Sequence, residues 1–187
     1  RQSVDAIREV MQCGQRCFGE SVVQEAMPKI LSLQDHSLEW HMIGPVQSNK
    51  ARAIAEYFDW VHSIDRLKIA ERLQRYRDPL QPKLNVCIQV NVSGESQKQG
   101  VAPSDVADFV QAIRSYDRLC VRGLMTIPRR TDDAEEQRAA YTQLSSVYQS
   151  VEGGNHWDTL SMGMSGDFEA AIRAGSNLVR IGQGIFQ

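Results

Sequence analysis

Segments of strand length alternate with segments of helical periodicity along the chain, and this alternation limits the fold more than any other feature. Strand-like runs fall at Cys17–Gly19, Glu39–Gly44 (EWHMIG), Trp60–Ile64 (WVHSI), Leu84–Val92 (LNVCIQVNV), Leu119–Ile127, Thr159–Met164 and Leu178–Ile181. Helical spacing is predicted for Val4–Gln12, Val22–Leu33, Asn49–Phe58, Asp65 to about Arg77, the stretch from Ser104 to about Tyr116, Asp132–Val151 and Asp167–Ala174. Ser3, Ser48 and Ser104 are expected N-caps, the Ser165-Gly166-Asp167 turn caps the last helix, and Gly14 and Gly175 are helix stops. Pro28 inside its helix is expected to kink it. Strands joined through helices must be parallel, because each connection has to cross back over the sheet. The first helix has no strand before it, so this is the element order of an α/β barrel whose first strand is absent from the chain. The 187 residues fall short of the roughly 200 or more of a complete barrel in the same direction. An open doubly wound sheet is the alternative, but the GxGxxG loop expected after its first strand is missing.

A net charge of −2 and 42% hydrophobic residues suit one sizeable core, and a single domain over residues 1–187 is expected. No apolar run reaches the roughly 18 to 20 residues of a membrane span, and no secretory signal opens the sequence, which points to a cytoplasmic protein away from membranes. Without a basic stripe, a nucleic-acid partner is not expected, and Arg129-Arg130 reads as a solvated loop. Cys13, Cys17, Cys87 and Cys120 are scattered and read as reduced thiols. Gly14 separates Cys13 from Cys17, so no metal site is expected from their spacing.

Chemistry concentrates near the end of the chain. Met164–Gly166 and Gly182–Gly184 follow two successive strands, so in a parallel barrel both loops emerge on one face. Their small residues let backbone amides converge as an anion cup. Arg180 lies in an otherwise apolar strand, where its permanent charge must meet a ligand, a carboxylate or another acceptor. His41 and His62 sit inside short apolar strands and neither has an obvious carboxylate neighbour in the linear sequence; either a satisfied core histidine or a proton carrier fits. Asn85, Gln89 and Asn91 recur at period two, placing one polar set on a single strand face, to fill a barrel or read a ligand.

Seven blocks fall in order: FGES (Phe18–Ser21), WHMIGPVQSNK (Trp40–Lys50), HSIDR (His62–Arg66), NVSGESQKQG (Asn91–Gly100), GLM (Gly123–Met125), SMGMSGD (Ser161–Asp167) and VRIG (Val179–Gly182). Together they resemble the pyridoxal phosphate homeostasis protein family across essentially the whole chain. The resemblance implies a barrel of the alanine racemase N-terminal type that binds pyridoxal 5′-phosphate without catalytic turnover. It implies a phosphate cup at Ser165, Gly182 and Gln183 beside Met164, with Arg180 near the pyridine nitrogen. Ser21, His41, Met125 and Met162 match positions around the cofactor. An arginine beside the ring nitrogen disfavours its protonation and weakens the electron sink that carbanion chemistry needs, which suits binding without catalysis.

Three departures accompany the resemblance. The family's Schiff-base lysine lies upstream of the helix that begins near Ser3, and no lysine here replaces it: Lys50 and Lys98 sit beside loops, and Lys29, Lys68 and Lys83 read as solvated. GEN has become GES at Ser21, and Gln183 stands in place of a small hydroxyl residue. If the chain is complete, non-covalent cofactor binding is therefore expected. The alternatives are a barrel enzyme on a phosphorylated metabolite, with His41 as acid or base, and a ligand-free scaffold of truncated or engineered origin.

Overall fold

The computed structural model describes residues 2–33, 37–95 and 98–186. Helix α1 (Val4–Gln12) begins where Ser3 Oγ accepts the Ala6 amide at 3.1 Å and ends before Gly14, whose φ of +95° suits a residue without Cβ. Strands β1 (Cys17–Glu20), β2 (Glu39–Met42), β3 (Trp60–Ile64) and β4 (Leu84–Gln89) alternate with α2 (Val23–Leu33), α3 (Ala51–Tyr57) and α4 (Leu67–Tyr76). Then follow α5 (Val106–Ile113), β5 (Leu119–Met125), α6 (Ala134–Ser150), β6 (Thr159–Met164), α7 (Phe168–Arg173) and β7 (Leu178–Arg180).

All strand pairs are parallel and the seven strands stand in chain order, β1 to β7. A doubly wound sheet reverses its strand order at a switch point, and no reversal occurs here. The sheet curls far enough for side chains of non-adjacent strands to meet: His62 on β3 touches Ser161 on β6, and Arg122 on β5 lies over the Trp60 ring of β3. This is a nearly closed barrel, with β1 and β7 as the terminal strands among the described residues. The expected alternation is present, and no described helix is long and apolar enough to cross a membrane.

Period two divides each strand. Trp40, Met42, Val61, Val86, Ile88, Leu160 and Met162 join the main core between sheet and helices, while Trp60, Cys87 and Met125 form a separate cluster inside the barrel. Several local expectations change. Ser48 and Ser104 do not cap α-helices; 3₁₀ turns at Ser48–Lys50 and Pro103–Asp105 lead into α3 and α5 without a side-chain cap. Asp167 turns its carboxylate back to the Met164 amide (2.6 Å) instead of capping α7. The fourth strand stops at Gln89, and Val90 still donates to the Met125 carbonyl (2.8 Å) while bridging Val101, fastening one side of the Gly94–Gly100 loop, of which Ser96 and Gln97 lie outside the described residues. Lys29 is not solvated: its side chain is 12% exposed and its Nζ lies 2.5 Å from Glu20.

Gly44 shows how closely the upper rim of the barrel is assembled. A Cβ there would overlap the carbonyl of Ser21, so the loops after β1 and β2 can touch only with glycine at this position. Gly44→Ala is expected to destabilise the fold by roughly 3 kcal/mol in urea denaturation, against about 0.5 kcal/mol or less for Gly166→Ala, whose Cβ would meet open space. Equal small losses in both variants would show that the rim relaxes freely.

Candidate functional site

The upper and lower ends of the barrel interior are connected by one chain of side chains. On β7, Arg180 donates from Nη1 to Ser161 Oγ (2.6 Å) and from Nη2 to the Thr126 carbonyl (2.9 Å). Ser161 Oγ lies 2.8 Å from His62 Nδ1, His62 Nε2 lies 2.8 Å from His41 Nδ1, and His41 Nε2 lies 2.8 Å from Glu39 Oε1. Glu39 and His41 share a face of β2 because they are two residues apart, and the same spacing puts Trp60 and His62 together on β3. The carboxylate neighbour of His41 was therefore present in the sequence, at i−2 rather than i±1.

The two ends of this chain set its polarity. The Glu39 carboxyl is lowered to about 2, mainly by the His41 hydrogen bond against an opposing effect of burial, so it accepts. The indole N–H of Trp60 adds to this effect although it lacks hydrogen-bond geometry to any described partner. Burial pushes His62 well below its ordinary value, and a proton on His41 and the charge of Arg180 act in the same direction, so His62 is neutral near pH 7. Arginine can only donate. Among arrangements with a single proton on each ring, one satisfies every contact: Arg180 donates to Ser161, Ser161 to His62 Nδ1, His62 Nε2–H to His41 Nδ1, and His41 Nε2–H to Glu39. Burial also lowers Arg180, but a guanidinium starts high enough to stay charged. Among the described residues its hydrogen-bond partners are neutral acceptors rather than a carboxylate.

Above Arg180 the two small-residue loops meet. The Gly182 amide donates to Ser165 Oγ at 3.3 Å, and the Gly182 carbonyl accepts from the Ile185 amide at 3.1 Å, folding the second loop into a turn. Gly163, at φ +97°, lets β6 run against α7, since a Cβ there would overlap that of Ala171. Ser165 is half-buried, whereas Gly182, Gln183 and Met164 are exposed at the mouth. Ser21 is exposed at the end of β1. Met125 lies inside the barrel, but Met162 belongs to the helix-facing core on the other face of β6. His41 is buried and connects to Arg180 only through His62 and Ser161. Sequence reasoning singled out neither Ser161 nor Thr126, although Ser161 lies at i−4 from Ser165 and shares the inward face with Thr159. A groove of about 480 Å³ beside α6 and α7 lies outside the barrel and includes none of these residues. The polar strand set divides: Asn85 bonds the Asp59 carbonyl and Arg122 near the floor, while Gln89 and Asn91 bond backbone of the loop after β4.

A parallel barrel with two small-residue loops and a half-buried arginine at the carboxyl ends of its last strands is the class of fold this chain adopts. The chain belongs to the family described as alanine racemase, N-terminal domain, which it matches over residues 2–187, and within it to the pyridoxal phosphate homeostasis proteins. The protein of that name from Vibrio cholerae is 51% identical over 188 residues, covering 98% of this chain and 80% of the relative. The Pseudomonas aeruginosa protein of the same name is 51% identical over 181 residues, covering 97% and 78%. The structure is similar to PipY of Synechococcus elongatus without PLP (TM-score 0.92, 35% identity, 100% of this chain and 89% of that one) and to PipY with PLP bound (0.87, 34%, 100% and 89%).

Ser161→Ala leaves His62 Nδ1 and one Arg180 N–H without a partner inside the barrel. A loss of about 1–3 kcal/mol of unfolding free energy is expected in urea denaturation. A loss below about 0.5 kcal/mol would show that water replaces the hydroxyl and that the chain is not tightly closed.

Proposed function

We propose that this protein binds pyridoxal 5′-phosphate reversibly, as one domain over residues 1–187, and acts in the cytoplasm in the homeostasis of that cofactor rather than in catalysis. The observation that carries this reading is the contact between Ser165 Oγ and the Gly182 amide, one strand-end away from Arg180. The residues present fit the group. Ser165 offers its hydroxyl hydrogen and Gln183 its backbone amide to a phosphate, the Gly182 amide already holding Ser165 Oγ at 3.3 Å, and Arg180 uses two of a guanidinium's five N–H donors on protein acceptors. Pyridoxal phosphate supplies, when bound, an electrophilic aldehyde and an electron-withdrawing ring.

The remaining roles follow from position. A donor-only guanidinium suits an unprotonated ring nitrogen, and its charge is held in place by Ser161 and the Thr126 carbonyl. Met125 supplies an inner wall, Met164 and Ser21 the rim, and Met162 supports β6 from the helix side. His41 acts at a distance, by completing the chain that orients Ser161. Both of its ring nitrogens are engaged, which favours binding over the acid–base role that an enzyme on a phosphorylated metabolite would ask of it. Lys29 and Lys98 are paired with Glu20 and Glu95, so these residues are not asked to capture the aldehyde.

Absorbance or fluorescence titration separates the phosphate contribution from the ring contribution. Pyridoxal phosphate is expected to bind at least about tenfold more tightly than pyridoxal, and Ser165→Ala to weaken pyridoxal phosphate by roughly five- to tenfold while leaving pyridoxal unchanged. Arg180→Met is expected to weaken both. Equal affinity for the two vitamers would overturn the assignment of the cup.

A further inference from the structure

At the lower end of the same interior chain, the parallel ladder sets Cys17 of β1 directly opposite Glu39 of β2, and His41 follows two residues along on the same face. Cys17 Sγ, a Glu39 carboxylate oxygen and His41 Nε2 all lie within 4.8 Å of one another, with Sγ···Oε1 at 3.5 Å and Nε2···Oε1 at 2.8 Å. We propose that these three side chains form a binding site for a single borderline-soft divalent cation, of the zinc type, at the floor of the barrel.

Ligand lengths suit this placement. With a metal–sulfur bond of about 2.3 Å and metal–nitrogen or –oxygen bonds of about 2.0–2.1 Å, tetrahedral ligand atoms stand roughly 3.3–3.6 Å apart. The Sγ···Oε1 separation already lies in that range, Nε2···Oε1 has to open by about half an ångström or slightly more, and Sγ and Nε2, within 4.8 Å of each other, have to draw in to it. The donors come from two hydrogen-bonded strands, so backbone pairing has already set their Cβ positions. One thiolate and one carboxylate balance the charge of a dication, and three protein ligands leave a fourth position for water. A thiolate with an imidazole selects zinc, cobalt or copper over magnesium and calcium, which prefer oxygen shells.

The surroundings are those of a ligating group rather than an isolated thiol. Cys17 is exposed and the Glu39 side chain 42% exposed, so a cation reaches the site from solvent, while His41 is buried behind them. The other nitrogen of His41 already bonds His62, the outer-shell contact that orients a ligating imidazole. Burial first, then Glu39 and Asp59, raise the Cys17 thiol, so the free site holds its proton and a cation has to displace it. Binding replaces the thiol S–H bond with a metal–thiolate bond and releases that proton to solvent. It also requires a lone pair at His41 Nε2, so the His41 proton moves to Nδ1 and faces His62. The polarity of the chain then reverses as far as Ser161.

Cobalt(II) is the probe of choice, because thiolate coordination produces a charge-transfer band that carboxylate or imidazole binding does not. Titration of the intact protein under reducing conditions is expected to give this band at one equivalent, with displacement by zinc. Cys17→Ser is expected to abolish the band and His41→Gln to weaken cobalt binding at least tenfold, while Cys13→Ser and Cys120→Ser retain it. Cys17 is exposed, so its serine variant is expected to keep the wild-type circular dichroism. Failure of the band to appear at millimolar cobalt, or its persistence in Cys17→Ser, would overturn the site. Neither result depends on pyridoxal phosphate, so the floor and the cup are tested separately.

Discussion

A guanidinium inside a parallel barrel has to be given acceptors, and the organisation of this interior follows from that requirement. Arg180 stands on the last strand, facing a space lined by Trp60, Cys87 and Met125. Ser161 and the Thr126 carbonyl satisfy two of its donors. Each further group then passes the requirement on: Ser161 needs an acceptor for its own hydrogen, His62 supplies it, and His41 and Glu39 complete the sequence at the floor. Low dielectric makes each hydrogen bond stronger and each unpaired group more costly. A cation at one end and a carboxylate at the other therefore impose one direction on the protons between them. The charges are too far apart in the chain for a salt bridge, yet each is stabilised by the dipoles that the other aligns.

Much of this was legible in the sequence because it depends on period. The seven strand positions, the single direction of the crossovers and the meeting of the two loops after the last two strands all follow from alternation and from where small residues fall. Caps were less legible. Ser48 and Ser104 have the right chemistry, but 3₁₀ turns before α3 and α5 place the first helical amides out of their reach. Lys29 looked solvated because its partner, Glu20, lies nine residues earlier, on the far side of the β1–α2 connection. The relay was the least visible part. Its histidines could be seen, and Glu39 at i−2 was available to a period-two reading, but Ser161 is 99 residues from His62 and meets it only when the sheet curls.

The two faces of β6 show why nearby residues in the sequence take different roles. Ser161 and Met162 are adjacent in the chain, but one enters the relay and the other packs beneath the helices. A one-residue slip would exchange them and put a thioether where Arg180 needs an oxygen. Gly163 then allows close contact with α7, so the strand arrives at Ser165 in the register that brings its hydroxyl to Gly182. Local backbone freedom, strand register and the meeting of Ser165 with Gly182 are thus linked within five residues.

The same relay limits how strongly its two ends can influence each other. Metal at His41 would reverse the tautomers and turn the Ser161 hydroxyl away from His62, but Ser161 would still accept from Arg180 through a remaining lone pair. What changes at the cup is therefore the strength of one hydrogen bond rather than its existence. A typical net hydrogen bond is worth about 1 kcal/mol, and a partial change in one cannot exceed that. The coupling between floor and cup is then bounded at roughly fivefold in affinity, and it is reciprocal: cofactor binding would alter cation affinity by the same factor. Larger coupling would require the strands themselves to shift, and the direct pairing of β1 with β2 and of β6 with β7 opposes such a shift.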